Sequence, residues 1–248
     1  MSEIERRYPE VAAGGFSRVD GMVAFYTRVH ALLGEDDVVL DFGAGRGQAE
    51  GDPVLFRRRL RTLRGAGRRV IGVDVDRAVL DNPLVDEAHV MQAGIIPLPS
   101  ASVDLVVAMS VFEHVAEPAT VARELDRVLV PGGWLCAKTP NRWGYIALGA
   151  TVVPNRLHVP ALRRLQPGRR GGDVFPTHYR LNTRRAITRA FPGYQCVVYG
   201  HNAEVTYVGR SRIASSAVSA WSRLAPEGLA SMLMVFLRKP VAGRGGEA

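Results

Sequence analysis

The chain has 248 residues, a formal net charge of +8 and two cysteines. A chain of that length buries a sizeable core without a covalent or metal staple, and Cys136 and Cys196 lie in the apolar runs WLCAK and YQCVVY, so they read as small buried hydrophobes in a reducing compartment and not as a disulfide or metal framework. The opening MSEIERRYPEV has no apolar core and is read as no secretory signal, and the longest apolar stretches, near 145–153 and 229–237, fall short of the ~20 residues a spanning helix needs, so the expectation is a cytoplasmic protein without a transmembrane segment.

Residues 17–33 place Val19, Met22, Val23, Tyr26, Val29 and Leu33 at helical spacing, and Gly34 stops that helix. Residues 37–42 (DVVLDF) form a short apolar run that passes abruptly into glycines 43–47, a buried strand followed by a glycine loop. Asp52-Pro53 has the form of a helix N-cap with proline at the first helical position; Leu55, Phe56, Leu60 and Leu63 then make an apolar face opposite arginines. A second strand is expected at 70–75 (VIGVDV), a third at 89–92 and a fourth at 103–110 (VDLVVAMS). An amphipathic helix follows over 118–129, broken by Pro131-Gly132-Gly133, and 134–139 is a fifth strand. After Thr139 the alternation lapses into a stretch rich in Pro, Gly, Arg and aromatics, with a short helix near 145–153. A helix at 183–191 and strands at 194–199 and 232–238 close the chain. Strands alternating with helices at this spacing form βαβ units and a mostly parallel sheet covered on both faces.

Of the 32 Lys and Arg residues, all but Lys138 and Lys239 are arginine, and seven of them fall between 57 and 69, with a second group at Arg163, Arg164, Arg169 and Arg170. Such a distribution is either a solvated helix face or a field that attracts a phosphorylated small molecule, RNA or an anionic membrane surface.

The central chemical signal is the strand ending in Asp41 followed by Gly43-Ala44-Gly45-Arg46-Gly47. Glycines let a ligand approach the main chain at the carboxyl edge of a sheet. A dinucleotide fingerprint asks for G-x-G-x-x-G, but position 48 is Gln48, and Asp41 adds negative charge where a pyrophosphate would sit. A cationic sulfonium and amino-acid moiety tolerates that carboxylate. Asp74 closes the second strand, where a carboxylate accepts from ribose hydroxyls, and Asp76 reads as a helix cap.

In fixed order, VVLDFGAGRG, VIGVDVD and LPSASVDLVVAMSVFEHVAEPATVARELDRVLVPGGWLCAKTPN resemble the successive motifs of class I S-adenosylmethionine (SAM)-dependent methyltransferases, closest to the broad group that includes quinone-biosynthesis enzymes, in a subgroup of unknown substrate. The resemblance covers residues 37–141. It implies a Rossmann-like, doubly wound, seven-stranded α/β sheet, mostly parallel with an antiparallel last strand and helices on both faces. By position it implies that Asp41, Gly43, Ala44, Gly45 and Gly47 surround the methionine part of SAM, that Asp74 holds the ribose and that Val75 packs on adenine. Gln92 and Ala93 stand where the family has Asp-Ala beside the adenine amino group, and the Gln92 amide oxygen still accepts from it. Met109 and Ser110 border the methyl-transfer position. The implied product is S-adenosylhomocysteine (SAH). The whole chain, 1–248, is expected to be one methyltransferase domain: a SAM-binding half at 14–139, an acceptor-side insertion at 140–181, a C-terminal helix and strands at 182–240, and a flexible tail at 241–248.

Methyl transfer from a sulfonium is an in-line displacement that needs no metal, and no metal-ligand spacing occurs in the sequence. A hydroxyl acceptor benefits from a base, for which histidine suits neutral pH. His114, beside Glu113 after the fourth strand, is one candidate, with packing or capping as its alternative role; His178 and Tyr179 in the insertion are the others. Tyr26 reads as a pocket lid or a core aromatic. No [DN]-P-P-[YFW] sequence follows the fourth strand, and neither cysteine sits at a strand end suited to attack on a pyrimidine. The leading expectation is O-methylation of a small molecule, such as a secondary metabolite, a sugar or a lipid-linked intermediate, with peripheral membrane contact as a variant through 145–153. RNA methylation through the arginine-rich helix ranks second, and a non-catalytic SAM- or nucleotide-binding module third.

Overall fold

The computed structural model describes residues 3–152, 175–203, 218, 220, 221 and 224–241. Most of the insertion, including Arg156, Arg163, Arg164, Arg169, Arg170, Asp173 and Val174, and the tail at 242–248 lie outside the described residues. Helix α1 (Glu3–Arg7) precedes α2 (Gly21–Leu32), and the strands are β1 (Val38–Phe42), β2 (Arg69–Asp74), β3 (Glu87–Val90), β4 (Val103–Met109), β5 (Leu129–Pro140), β6 (Gln195–His201) and β7 (Met232–Arg238). Between them run α3 (Leu55–Arg61), α4 (Pro118–Val128), α5 (Tyr145–Val152) and α6 (Arg184–Ala190). The seven strands pair in the order β3-β2-β1-β4-β5-β7-β6. The pairs from β3 to β5 are parallel, and β7 runs antiparallel to both β5 and β6. This is the expected Rossmann-like architecture with its reversed last strand.

The period of two along each strand divides the core between two faces. From β1, Leu40 joins one apolar cluster with Val106, Leu125 of α4 and Ile187 of α6; Val39 joins the other with Phe25 and Val29 of α2, Leu105 and Phe236. Both faces being covered, the strands read as continuous apolar runs instead of alternating ones. Each fully buried leucine in these layers is worth about 1.5–3 kcal/mol over leaving it in water. The order reverses between β1 and β4, so a crevice opens at the carboxyl ends of β1, β2 and β4. Among the described residues, no helix is long and apolar enough to cross a membrane.

Several boundaries differ from the expected ones for local reasons. Strand β5 begins at Leu129, before the Pro-Gly-Gly break, because its ladder with β4 skips from Val103↔Leu129 to Leu105↔Trp134 across an irregularity. Gly132 and Gly133 meanwhile exchange backbone hydrogen bonds with Lys239. Strand β3 lies two residues earlier than expected, at Glu87–Val90. Asp76 caps the 3-10 turn Arg77–Asp81 by accepting from the Ala78 amide, and Thr183 caps α6.

Asp52 does not cap α3, which starts at Leu55 after Val54. Its carboxylate accepts instead from the Val54 amide, from Arg57 Nε at 2.6 Å and from Arg61 Nη1 at 3.0 Å. Charge-assisted bonds to two guanidinium groups outweigh a neutral cap. Arg57 also reaches Asp20 at 2.7 Å, and Asp20 itself caps α2 through the Met22 and Val23 amides. The expected apolar face of α3 is correspondingly reduced: Leu55 and Phe56 are largely exposed, Phe56 stacking on Phe16, and Leu60 and Leu63 alone pack toward the core. The Asp20 and Asp52 side chains are only 2% and 3% exposed. Arg57→Ala strips the main counter-charge from both, and the expected cost is about 3 kcal/mol of unfolding free energy, read as a lowered urea midpoint with unchanged slope.

Candidate functional site

Strands β1, β2 and β4 deliver their carboxyl ends to one cleft of about 350 Å³, in the range of small-ligand sites. The loop after β1 forms its floor. Gly43 turns the chain back at φ +79°, its amide donating to Val73 O at 2.7 Å, and a Cβ there would come within 2.4 Å of a Val111 methyl. Gly47 has φ +76°, and its missing Cβ makes room for Asn82 Oδ1. Only glycine satisfies both constraints at either position.

Two side chains hold the loop from outside. Asp74 accepts from the Gly45 amide at 2.9 Å and, with its other oxygen, from the Asp76 amide at 2.8 Å. Asn82 donates its amide hydrogens to Ala44 O and Gly45 O, both at 3.1 Å, and accepts from the Leu84 amide. Asn82 is buried, and nothing in its sequence setting beyond a turn-forming Asn-Pro pair announces the role. Arg61 is a second cleft residue that the sequence did not single out.

Asp41 faces the cleft and is otherwise enclosed by protein. That burial, with a smaller contribution from the Asp74 charge and opposition from Arg61, pushes its carboxyl up to about 7. Tyr26 also lines the cleft while only 6% exposed, so the lid and core readings of this residue meet in one side chain. Val75 presents an exposed apolar lip at the end of β2.

The opposite wall comes from β4 and the end of the insertion. Met109, Ser110, Val111, His114, Phe175, Pro176 and His178 all line the cleft. Ser110 adopts φ +56°, its amide donating to Lys138 O. The segment from Phe175 is hung on the buried Glu113: its backbone carbonyl accepts from the His178 and Tyr179 amides at 2.7 and 3.2 Å. The Glu113 carboxyl accepts from the Thr139 hydroxyl at 2.9 Å, and Asn182 in turn donates to Thr139 Oγ1 and Pro140 O. Burial raises that carboxyl above the usual range against the pull of His114, its own backbone, Thr139 and Lys138. His114 Nδ1 lies 2.9 Å from Pro176 O, and its ring meets Phe175 edge-on. A carbonyl only accepts, so Nδ1 carries the hydrogen and the lone pair of the neutral ring resides on Nε2.

Of the residues expected at the site, Asp41, Gly43, Ala44, Gly45, Gly47, Asp74, Val75, Met109, Ser110, His114 and His178 come together around this cleft. Gln92, Ala93 and Tyr179 lie outside its lining: Gln92 bridges to Ile95, Ala93 turns at φ +51°, and Tyr179 is held by its amide on Glu113. Four of the seven arginines of the 57–69 segment are held in ion pairs. Arg57 and Arg61 are paired with Asp20 and Asp52, Arg64 with Asp86 at 2.7 Å and Arg69 with Glu87 at 3.1 Å, while Arg58, Arg59 and Arg68 are exposed.

Residues 40–137 match the family described as a methyltransferase domain. Among curated proteins, the chain is 35% identical over 143 residues to a probable S-adenosylmethionine-dependent methyltransferase of Mycolicibacterium smegmatis, covering 56% of this chain and 51% of that one. It is 27% identical over 147 residues to a ubiquinone biosynthesis O-methyltransferase of Burkholderia vietnamiensis, covering 51% and 62%. The chain therefore spans less than two thirds of the length of these relatives. Among solved structures, a SAM-dependent methyltransferase from Methanosarcina mazei superposes with a TM-score of 0.54 at 17% identity, over 86% of this chain and 97% of that one, a likeness of fold.

Asn82→Ala frees the carbonyls of Ala44 and Gly45 together and opens space beside Gly47. The expected loss is about 1–3 kcal/mol in urea unfolding, with faster hydrogen exchange concentrated at the amides of residues 43–47.

Proposed function

We propose that this chain, a member of the class I SAM-dependent methyltransferase family, binds SAM in the cleft at the carboxyl ends of β1, β2 and β4 and methylates a hydroxyl group of a small molecule. The observation that carries the reading is Asp41, a half-buried carboxylate that lines the cleft at the mouth of the glycine loop, where the packed protein around it and Asp74 push its pKa up to about 7. A site that spends burial on an acid needs a cationic ligand to keep it ionised. A nucleoside sulfonium with an amino-acid tail is such a ligand, and a dinucleotide pyrophosphate is not.

The other residues fit the same ligand. Asp74, already fixed by two backbone amides, keeps lone pairs for ribose hydroxyls. Val75 and Met91 offer an apolar edge for adenine, and Gln92 and Ala93 remain candidates for its amino group only from beyond the lining. When bound, SAM supplies an activated methyl group on a positively charged sulfur. The protein's own part is to align the acceptor oxygen and exclude water, which lowers the barrier by several kcal/mol through positioning. Met109 and Ser110 border that position, and His114, which lines the cleft and whose Nδ1 is engaged by Pro176 O so that Nε2 holds the lone pair, takes the hydroxyl proton; His178 stands on the same wall. The O-methyl acceptor is favoured by this base and by the ubiquinone biosynthesis O-methyltransferase relative.

Two experiments test the reading. With labelled SAM and a panel of phenols and hydroxylated metabolites, His114→Asn is expected to lower methyl transfer to the best acceptor by about 10²–10⁴-fold while SAH binding stays within twofold; unchanged transfer removes His114 from the reaction. The second is pH dependence. In the ligand-free protein the raised Asp41 value favours folding while the acid is neutral, a contribution fully present below its unfolded value and lost as pH rises through about 7. The ammonium group that SAM and SAH share selects the ionised form, so SAH affinity measured by calorimetry is expected to fall, by up to about tenfold per unit, as pH drops from 7 toward 5. In Asp41→Asn it is expected to be weaker and flat.

A further inference from the structure

Strands β5 and β7 leave the sheet at one corner, since Pro140 at the end of one is paired with Met232 at the start of the other. The chain beyond that pair is cross-linked: the Asn141 amide donates to Ser231 O at 3.0 Å, and Asn141 Nδ2 to Gly228 O at 2.8 Å and Ala230 O at 3.0 Å. Trp143 and Leu148 follow on the β5 side. Trp221 and Leu224 precede on the β7 side, where the Ala225 amide closes a turn on Trp221 O at 2.7 Å. All four are exposed, Trp143 by 54%, Leu148 by 48%, Trp221 by 49% and Leu224 by 83%. The cleft belongs to the same edge of the sheet, because Ser110, which lines it, donates its amide to Lys138 O of β5. Large apolar side chains gathered at one exposed corner mark a contact surface, unlike the single ones scattered over any protein.

Charge identifies what that surface meets. Residues 139–172 hold six arginines and residues 205–226 three, with no Asp or Glu in either stretch. Of the 32 Lys and Arg in the chain, 23 remain against all 24 Asp and Glu, so the whole positive excess belongs to the two stretches that adjoin this corner. At the corner itself the Arg142 guanidinium lies 5.8 Å above the Trp143 ring, and the acid Glu227 is met by Arg184 at 3.6 Å. Tryptophans and leucines flanked by arginines suit the boundary of an anionic bilayer, where indole rings sit at headgroup depth and guanidinium groups meet phosphate. A polynucleotide would use the charge and the rings but leave Leu148 and Leu224 in water.

We infer that Trp143, Leu148, Trp221 and Leu224, with Arg142, dock this chain on the surface of an anionic phospholipid bilayer. The docking is peripheral, since α5 has eight residues and cannot span. It does not depend on the SAM reading and bears on it in one respect: a docked chain carries its cleft at the bilayer, where lipid-borne hydroxyls are concentrated.

The test is flotation of the full chain with vesicles of phosphatidylcholine alone and of phosphatidylcholine mixed with phosphatidylglycerol. Binding is expected to the mixed vesicles, at least about tenfold weaker to the neutral ones, and reversed by high salt. Fluorescence locates the contact, because Trp134, the remaining tryptophan, packs against the core beneath Arg238, away from this corner. Brominated acyl chains are expected to quench the wild-type emission but not that of the Trp143→Phe, Trp221→Phe double variant, which keeps Trp134 alone. Leu148→Asp combined with Leu224→Asp is expected to weaken vesicle binding at least about tenfold, and Arg142→Ala about fivefold, with unchanged urea midpoints. Equal binding to neutral and anionic vesicles, quenching that survives in the double phenylalanine variant, or full binding by the double aspartate variant overturns the inference. So does a wild-type chain that binds no vesicle. In that event, self-association lost in the double aspartate variant makes the corner an interface between copies, and lost binding of a labelled single-stranded RNA makes the partner a nucleic acid.

Discussion

A carboxylate enclosed by protein resists ionisation, and the chain places one, Asp41, where the first strand ends and the glycine loop begins. Packed protein limits its solvation and the nearby Asp74 repels it, which together raise its pKa to about 7 against the pull of Arg61. A cation in the cleft replaces the missing solvation. That exchange is the interaction on which the functional reading depends, because it selects for the charge of the ligand and not merely for the shape of a nucleoside.

The rest of the cleft keeps this acid and its surroundings fixed. Asp74 and Asn82 tie the loop by its amide and carbonyl groups, so the main chain faces the ligand without rearranging on binding. On the far wall, Glu113, Thr139 and Asn182 form a buried chain of hydrogen bonds that suspends Phe175, Pro176 and His178 over the edge of the sheet. The same anchoring orients His114 by its Nδ1. Glu113 thus acts on the site through its neighbours, and its companion histidine is the one that faces the cleft. Preorganisation of this kind is what positional catalysis requires when no charged side chain needs to attack the substrate.

Much of this is legible in the residues. The strand-loop-strand run from Val38 to Asp74 announces both the sheet and the two acids, since apolar runs bounded by glycines and closed by carboxylates mark buried strands that end at a polar edge. Asp76 is legible as a cap because capping is a local interaction. Asp52 misleads for the same reason: its short-range signal is that of a cap, but two arginines one and two turns later claim the carboxylate, a competition that sequence spacing does not rank. Leu55 and Phe56 belong to the core by period alone, whereas so short a helix buries little beyond Leu60 in its last turn and Leu63 just past its end. Asn82 is invisible because the carbonyls it holds lie 37 and 38 positions away, and Arg61 because its place in the cleft follows from how α3 packs and not from a local pattern. The basic charge run is a conspicuous pattern of which Arg57, Arg61, Arg64 and Arg69 are held in ion pairs while Arg58, Arg59 and Arg68 stay exposed.

The most direct measurement is a crystal structure of the chain grown with SAH. The expected result is SAH in this cleft with its ammonium against Asp41 and both ribose hydroxyls on Asp74. SAH bound elsewhere, or seated here with its amino-acid tail turned away from Asp41, contradicts the claim that the enclosed acid is what the ligand answers.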